Sequence, residues 1–299
     1  MKIYFHQQAK IKVCWLALVL IFLISGNVMA QGGDERIILL RHSTGGNLFE
    51  QGGVAKWFAN YNSENGTSYD ISMRAYPNSP YPWNNYPYDY WNLWVNPKGP
   101  ANSNNPNIDT LDHLAQNYDV IIWKHCFPGA AVRPDTGSPN VSSSVKRLEN
   151  YKLQYRAIRA KLDSFPDTIF IVWTLVPLHR LSTTPEESSR ARQFVDWVRN
   201  EWLVEDQKPH PNIFIFDFWS YAAEGPLTTS HPNGVTNTLK YNYEGSHSGS
   251  DSHPNKLANQ TIGPIFAKRV VDVVNEFNAH KPDSPLPQAP KNLRIIRVE

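Results

Sequence analysis

The chain has 299 residues, 41% of them hydrophobic and 19% charged, with 10 Trp, 14 Tyr and 13 Phe, a composition that excludes intrinsic disorder over most of its length. The formal net charge is +2, but Lys2, Lys10 and Lys12 fall in an N-terminal leader, leaving 26 basic against 27 acidic residues after it. That balance excludes the basic footprint of a nucleic-acid binder.

Residues 1–30 join a basic start to an apolar run over 13–24 and small residues before a cut after Ala30. They read as a signal peptide, because the run is shorter than the roughly 20 residues a membrane span needs. A secreted or periplasmic protein is expected, with no membrane attachment after cleavage. Cys14 leaves with the leader and Cys126 remains, so no disulfide within the chain is possible and the core alone must hold the fold.

Five short runs rich in β-branched and aromatic residues, at 36–40, 69–75, 120–123, 168–173 and 213–216, read as strands covered on both faces. Helical spacing appears at 108–117, 145–164, 185–204 and 257–277. The third of these opens on Thr184 as cap, with Pro185 at its first position and acids in the first turn. Strands alternating with helices predict a mostly parallel five-stranded sheet between helices, one α/β domain over 34–279. The stretch 76–106, crowded with Pro, Asn, Tyr and Trp, shows no period and reads as a long ordered loop. Residues 280–299 form a Pro-rich linker and a stub that resembles the start of a fibronectin type III module.

The first strand ends in "LLRHSTGGNLF", which puts Ser43 at a strand-to-helix junction before Gly45 and Gly46. Carboxyl ends of parallel strands form the ligand-binding edge of such a sheet. Near the other end, "GSHSGSDSHPNKLANQ" places His247, Asp251 and His253 just before the last helix. A serine, a histidine and a neighbouring acid supply the nucleophile, the general base and the orienting group of a serine hydrolase.

With these residues the sequence resembles the SGNH (GDSL-like) hydrolase superfamily. "RHSTGGN" resembles a first block in which His-Ser-x-Gly replaces Gly-Asp-Ser, "YDVIIWKHCFPG" and "FIVWTLVPL" resemble its inner strands, and "SDSHPNKLAN" resembles its last block. The resemblance implies a flavodoxin-like three-layer α/β/α sandwich and an exported serine esterase needing no cofactor or metal. Ser43 would be the nucleophile and His253 the base. An O-acylated carbohydrate, or another small ester, would be the substrate. Besides a second-block Gly with no clear equivalent after "ISMRAY", two departures stand out. Ser250 occupies the usual position of the acid, with Asp251 one residue later, so either Asp251 or a backbone carbonyl orients His253. The oxyanion-hole Asn is replaced in "KHC", and Gly45, Asn78 and Lys124 are the candidate oxyanion donors.

Three further readings belong beside these. Trp83, Trp91 and Trp94 of the aromatic stretch are candidate sugar-stacking residues, with a loop-pinning minicore as the structural counterpart. Cys126 with His125 could act as a thiol nucleophile, though free Cys more often packs as a small hydrophobe. His247 and His253 with Glu244 and Asp251 could bind a metal, but their spacing matches no helical ligand pattern. The rival to an esterase is a non-catalytic glycan-binding domain in which the two departures mark lost chemistry.

Overall fold

Five parallel strands pair in the order β2-β1-β3-β4-β5. They are β1 (Arg36–Arg41), β2 (Asp70–Ala75), β3 (Val120–Trp123), β4 (Ile169–Trp173) and β5 (Ile213–Phe216). The computed structural model describes residues 33–77, 81, 85–100, 108–224 and 235–280. The leader, Asn78, Trp83 and 281–299 therefore lie outside the described residues.

Period-two alternation along each inner strand divides the core into two faces. Ile38, Leu40, Ile121, Trp123, Phe170 and Val172 pack on one side of the sheet, and Ile37, Leu39, Val120, Ile122, Ile169 and Ile171 on the other. On the first face lie α3 (Pro87–Trp94), α4 (Leu111–Asn117), α5 (Leu148–Leu162) and α6 (Pro185–Asn200). The second face is covered by α1 (Ser43–Gln51), α2 (Val54–Asn65) and α8 (Lys256–His280). A short α7 (Phe218–Ala222) follows β5 and contributes Trp219 to the first face and Phe218 to the second. This is a three-layer α/β/α sandwich, as the alternation of strands and helices predicts.

The expected strand cores all appear, but β2, at the sheet edge, is exposed or half-buried along its length rather than covered on both faces. Thr184 caps α6 as expected, its side chain accepting the Glu187 N–H. Besides the five-residue α7, two helices were not anticipated. The first is α2, which buries only Val54 and Phe58, a stripe too narrow to stand out from its polar neighbours. The second corrects the reading of 76–106 as aperiodic loop, because α3 lies inside it. Pro87 opens that helix, and Asp89 Oδ2 accepts the Tyr86 N–H at 3.1 Å. Because α3 is wedged between the sheet and α5, it is apolar nearly all round and carries no one-sided period.

The last helix is fixed on α1 by direct backbone contact. A Cβ on Gly263 would sit 2.7 Å from Gly52 Cα, and one on Gly52 would sit 2.6 Å from the Asn259 carbonyl oxygen. Asn259 Nδ2 adds a bond of 2.9 Å to Gln51 Oε1. The segment leading into α8 is thereby brought to the helix that starts at Ser43.

Candidate active site

The strand order places the change of crossover direction between β1 and β3. Ligands of open α/β sheets bind outside the carboxyl ends of the strands at this position. Leu40 pairs with Trp123, so Ser43 and Cys126 stand at matching distances beyond their strands. Ser43 Oγ lies 3.3 Å from Cys126 Sγ. On the other side Arg41 pairs with Ala75, and the His42 ring meets the Tyr76 carbonyl through Nε2.

Ser43 is exposed at the first position of α1, where backbone N–H groups lack intrahelical acceptors. The Gly45 N–H already donates to the His42 carbonyl at 2.8 Å, so Gly45 is engaged rather than free as an oxyanion donor. What requires glycine there is Lys124: a Cβ at position 45 would lie 2.6 Å from Lys124 Cε. Lys124 passes beneath this turn, fully buried, and its Nζ donates to Cys126 Sγ at 2.9 Å. It therefore reaches Ser43 through the sulfur rather than facing solvent, which corrects its assignment as an oxyanion donor.

Cys126 is 5% exposed. Burial pushes its thiol up, but the Lys124 ammonium, the Ser43 hydroxyl and the Thr44 backbone N–H outweigh this and bring it below the usual thiol range. His42 is pushed down to about 3, chiefly by burial, with Lys124 and Arg41 acting in the same direction against the bond to Tyr76. His125 is wholly buried and also lowered, by burial first and Lys124 second. Its Nε2 lies 2.8 Å from the Tyr155 hydroxyl inside an aromatic cluster with Tyr90 and Trp123. It is a core residue, not a partner for Cys126.

His253 lies on the segment preceding α8. Its Nδ1 donates to Asp251 Oδ1 at 2.6 Å, and its backbone N–H donates to the same oxygen at 3.1 Å. Desolvation pushes the Asp251 carboxyl up, yet these two bonds and the nearby imidazoles hold it below the usual carboxylate range. Of the two orienting groups open from sequence, the geometry provides the carboxylate. With Nδ1 committed, Nε2 is the ring nitrogen left to exchange a proton. The ring packs edge-to-face on Phe127, centroids 4.9 Å apart, beside Cys126. The His253 ring is therefore placed against the turn after β3, whose Cys126 meets Ser43. Among the described residues Ser43 hydrogen-bonds to Cys126, and no hydrogen bond joins it to His253.

Sequence reasoning missed what holds this segment. Glu244, wholly buried, lies 3.2 Å from His179 Nε2, 3.1 Å from Arg180 Nε and 3.0 Å from His247 Nδ1. His179 Nδ1 accepts the Leu181 N–H, so Nε2 carries the proton and donates to the Ser246 carbonyl at 3.0 Å. Arg180 donates to the His247 carbonyl, and Ser252 Oγ accepts the His179 N–H at 2.8 Å. Asn255 Nδ2 bonds the Asn242 and Glu244 carbonyls. The loop after β4 thus grips the His253 segment. His247 is half exposed and stacks on Tyr241, ring centroids 3.7 Å apart.

Among the described residues, two of the candidate stacking tryptophans are buried rather than presented to solvent. Trp91 is 9% exposed and Trp94 is 2% exposed. Trp94 Nε1 donates to the Tyr76 hydroxyl at 2.7 Å, and its ring packs on Tyr90 and Trp123. These tryptophans form the minicore because α3 turns them toward the sheet.

Compared with protein-family models, with curated proteins and with solved structures, the chain matches none.

Proposed function

We propose that this protein is a serine ester hydrolase of SGNH type with Ser43 as nucleophile. The observation that carries the reading is the His253–Asp251 pair, Nδ1 to Oδ1 at 2.6 Å, brought by the α1–α8 contact to the strand edge that presents Ser43. His253 Nε2 takes the hydroxyl proton, Ser43 Oγ forms an acyl-enzyme with a carboxylic ester, and water releases the acid. To react, the hydroxyl turns from Cys126 toward His253, a rotation about χ1 open to an exposed serine. The N–H of Ser43, in the first turn of α1, is the backbone donor this reading assigns to the developing oxyanion. This chemistry asks for no cofactor.

An O-acylated glycan remains the preferred substrate within the ester class. With Trp91 and Trp94 buried, that preference rests on the export leader and on the module-like tail. Export itself belongs to this proposal, since it rests on the composition of 1–30.

A second reading, a non-catalytic glycan-binding domain, is favoured by one observation: Ser43 is bonded to Cys126 rather than to His253. Turnover of an activated acyl ester separates the two. Ser43→Ala should lower kcat/KM by about 10³-fold or more with an unchanged melting temperature, since the side chain is exposed. Full activity in that variant overturns the nucleophile assignment. A wild-type protein that retains glycan but hydrolyses no ester favours the binding domain.

A further inference from the structure

The proposed acyl transfer leaves one reactive pair unused. Lys124 and Cys126 stand two positions apart beyond β3, with Nζ 2.9 Å from Sγ. The lysine is fully buried and the cysteine 5% exposed. Lys124 does not appear in any carboxylate ion pair among the described residues, so the sulfur is the partner on which its buried amine closes. Its path is fixed as well: Gly45 roofs the chain so closely that a Cβ there would touch Cε at 2.6 Å. An amine confined against a thiol is a reaction geometry, because a cysteine sulfenic acid is trapped by a nitrogen within reach.

We propose that peroxide joins Cys126 to Lys124 through a sulfur–nitrogen bond and that this link switches off the Ser43 site. The bond stands on the geometry of the pair, while the switch rests on the hydrolase reading above. In the first step the Cys126 thiolate attacks hydrogen peroxide. A sulfur–oxygen bond forms, the oxygen–oxygen bond breaks, the departing hydroxide takes a proton from the Lys124 ammonium and leaves as water, and the sulfur is oxidised by two electrons to the sulfenic acid. In the second step Lys124 Nζ, having given up its ammonium proton, attacks that sulfur; a nitrogen–sulfur bond forms and the hydroxyl departs as water. The sum is one thiol, one amine and one peroxide giving one sulfenamide and two waters. Two equivalents of an external thiol reverse it, restoring thiol and amine and leaving their own disulfide.

The low-lying thiol described above supports the first step, since the thiolate is the form that attacks peroxide. The second step is favoured by confinement, because the amine needs no search to reach the sulfur. For the site, the link draws Nζ and Sγ from hydrogen-bond separation to bonding separation. The sulfur that now meets Ser43 Oγ at 3.3 Å and the Thr44 N–H moves beneath the first turn of α1. The first turn of α1, which presents Ser43 and its backbone N–H to the site, then loses its support from below.

The test uses purified protein treated with hydrogen peroxide, digested with and without prior dithiothreitol, and analysed by peptide mass. The expected product spans 124–126, is lighter than the reduced peptide by two hydrogens, resists trypsin after Lys124, and reverts with dithiothreitol. Ester turnover should fall about tenfold or more in parallel and return on reduction. Cys126→Ser should show neither the link nor the reversible loss. Lys124→Arg, which keeps a cation but not the amine, should carry Cys126 on to oxygen adducts that dithiothreitol does not reverse. Wild-type peptides bearing only added oxygens, with Lys124 still cleaved, overturn the bond even if both variants fail to fold. A link that forms while turnover is unchanged overturns the switch. Absence of ester turnover before treatment overturns the hydrolase reading and the switch with it, and the peptide mass still decides the bond.

Discussion

The two halves of the candidate site are held by different kinds of bond. Ser43, Lys124 and Cys126 continue from β1 and β3, whose pairing of Leu40 with Trp123 sets their separation. His253 stands instead on a loop tied by side chains to backbone carbonyls, through His179, Arg180 and Asn255 around the buried Glu244. A ladder of buried apolar strands allows one register, because slipping by a residue reverses every side chain. A polar network holds one geometry only while each member is satisfied. The nucleophile half should therefore tolerate local change, and the base half should depend on single side chains.

The sharpest test of that contrast lies within the loop, which carries two histidine–carboxylate pairs. His253 is paired with the exposed Asp251, and His247 with the buried Glu244. If His253 is the base, His253→Ala should cost on the order of 10³-fold in kcat/KM toward an activated ester, and His247→Ala much less, since His247 stacks on Tyr241. A loss confined to His247→Ala would reverse the roles and make Glu244 the orienting acid. Steady-state kinetics on both purified variants decides it.

The wall beneath the nucleophile half should respond in stability rather than in chemistry. Trp94 is buried on Tyr90 and Trp123 and donates to the Tyr76 hydroxyl. Trp94→Ala should cost about 3 to 5 kcal/mol, read as a lower denaturant midpoint. Glycan retention, if present, should fall only where the protein unfolds. Retention lost at full stability would restore the stacking role that burial argues against.

This contrast also governs what the sequence revealed. The cores of β1, β3 and β4 were legible because both faces are buried and the apolar runs are continuous, and Ser43 was legible because it follows the first of them. Gly45 drew attention as an oxyanion donor, although its reason is the lysine side chain beneath it. That reason depends on β1 and β3 being neighbours, which no local pattern encodes. Likewise α3 hid because helical period shows only when one side is polar, and Trp94 and Trp91 face partners nearly all round. The grip on His253 was invisible for another cause. His179 and Glu244 lie 65 positions apart, and polar residues satisfied by backbone carbonyls leave no periodic trace. Asp251 was legible as a candidate, and its bond to His253 Nδ1 resolves an alternative that spacing left open.

The smallest expected effect concerns acid stability and returns to the strand-edge half. His42 donates to the Tyr76 carbonyl and is pushed down to about 3 from an ordinary value of 6.5, mainly by burial. As pH falls between those values the unfolded chain binds a proton at this ring and the folded chain does not. The unfolded state holds more protons, so stability decreases as pH drops from about 6.5 toward about 3 and is fully present above that window. The buried His125 is lowered in the same direction and contributes a limb of the same sign. His42→Gln keeps an N–H donor for Tyr76 but removes the titration. Its urea midpoint should therefore fall less steeply with acid than that of the wild type, with the residual slope carried by His125 and the carboxylates. The base half supplies the control: Asp251 is lowered by its bonds to His253, so its contribution is present above the ordinary carboxylate range and is lost as pH falls through the depressed value. Because that loss lies at the lowest pH, Asp251→Asn should leave the limb between pH 6.5 and the carboxylate range unchanged. A His42→Gln slope identical to wild type across that window would mean that the ring is protonated in the folded protein, and that the β1–β2 edge admits charge beside Ser43.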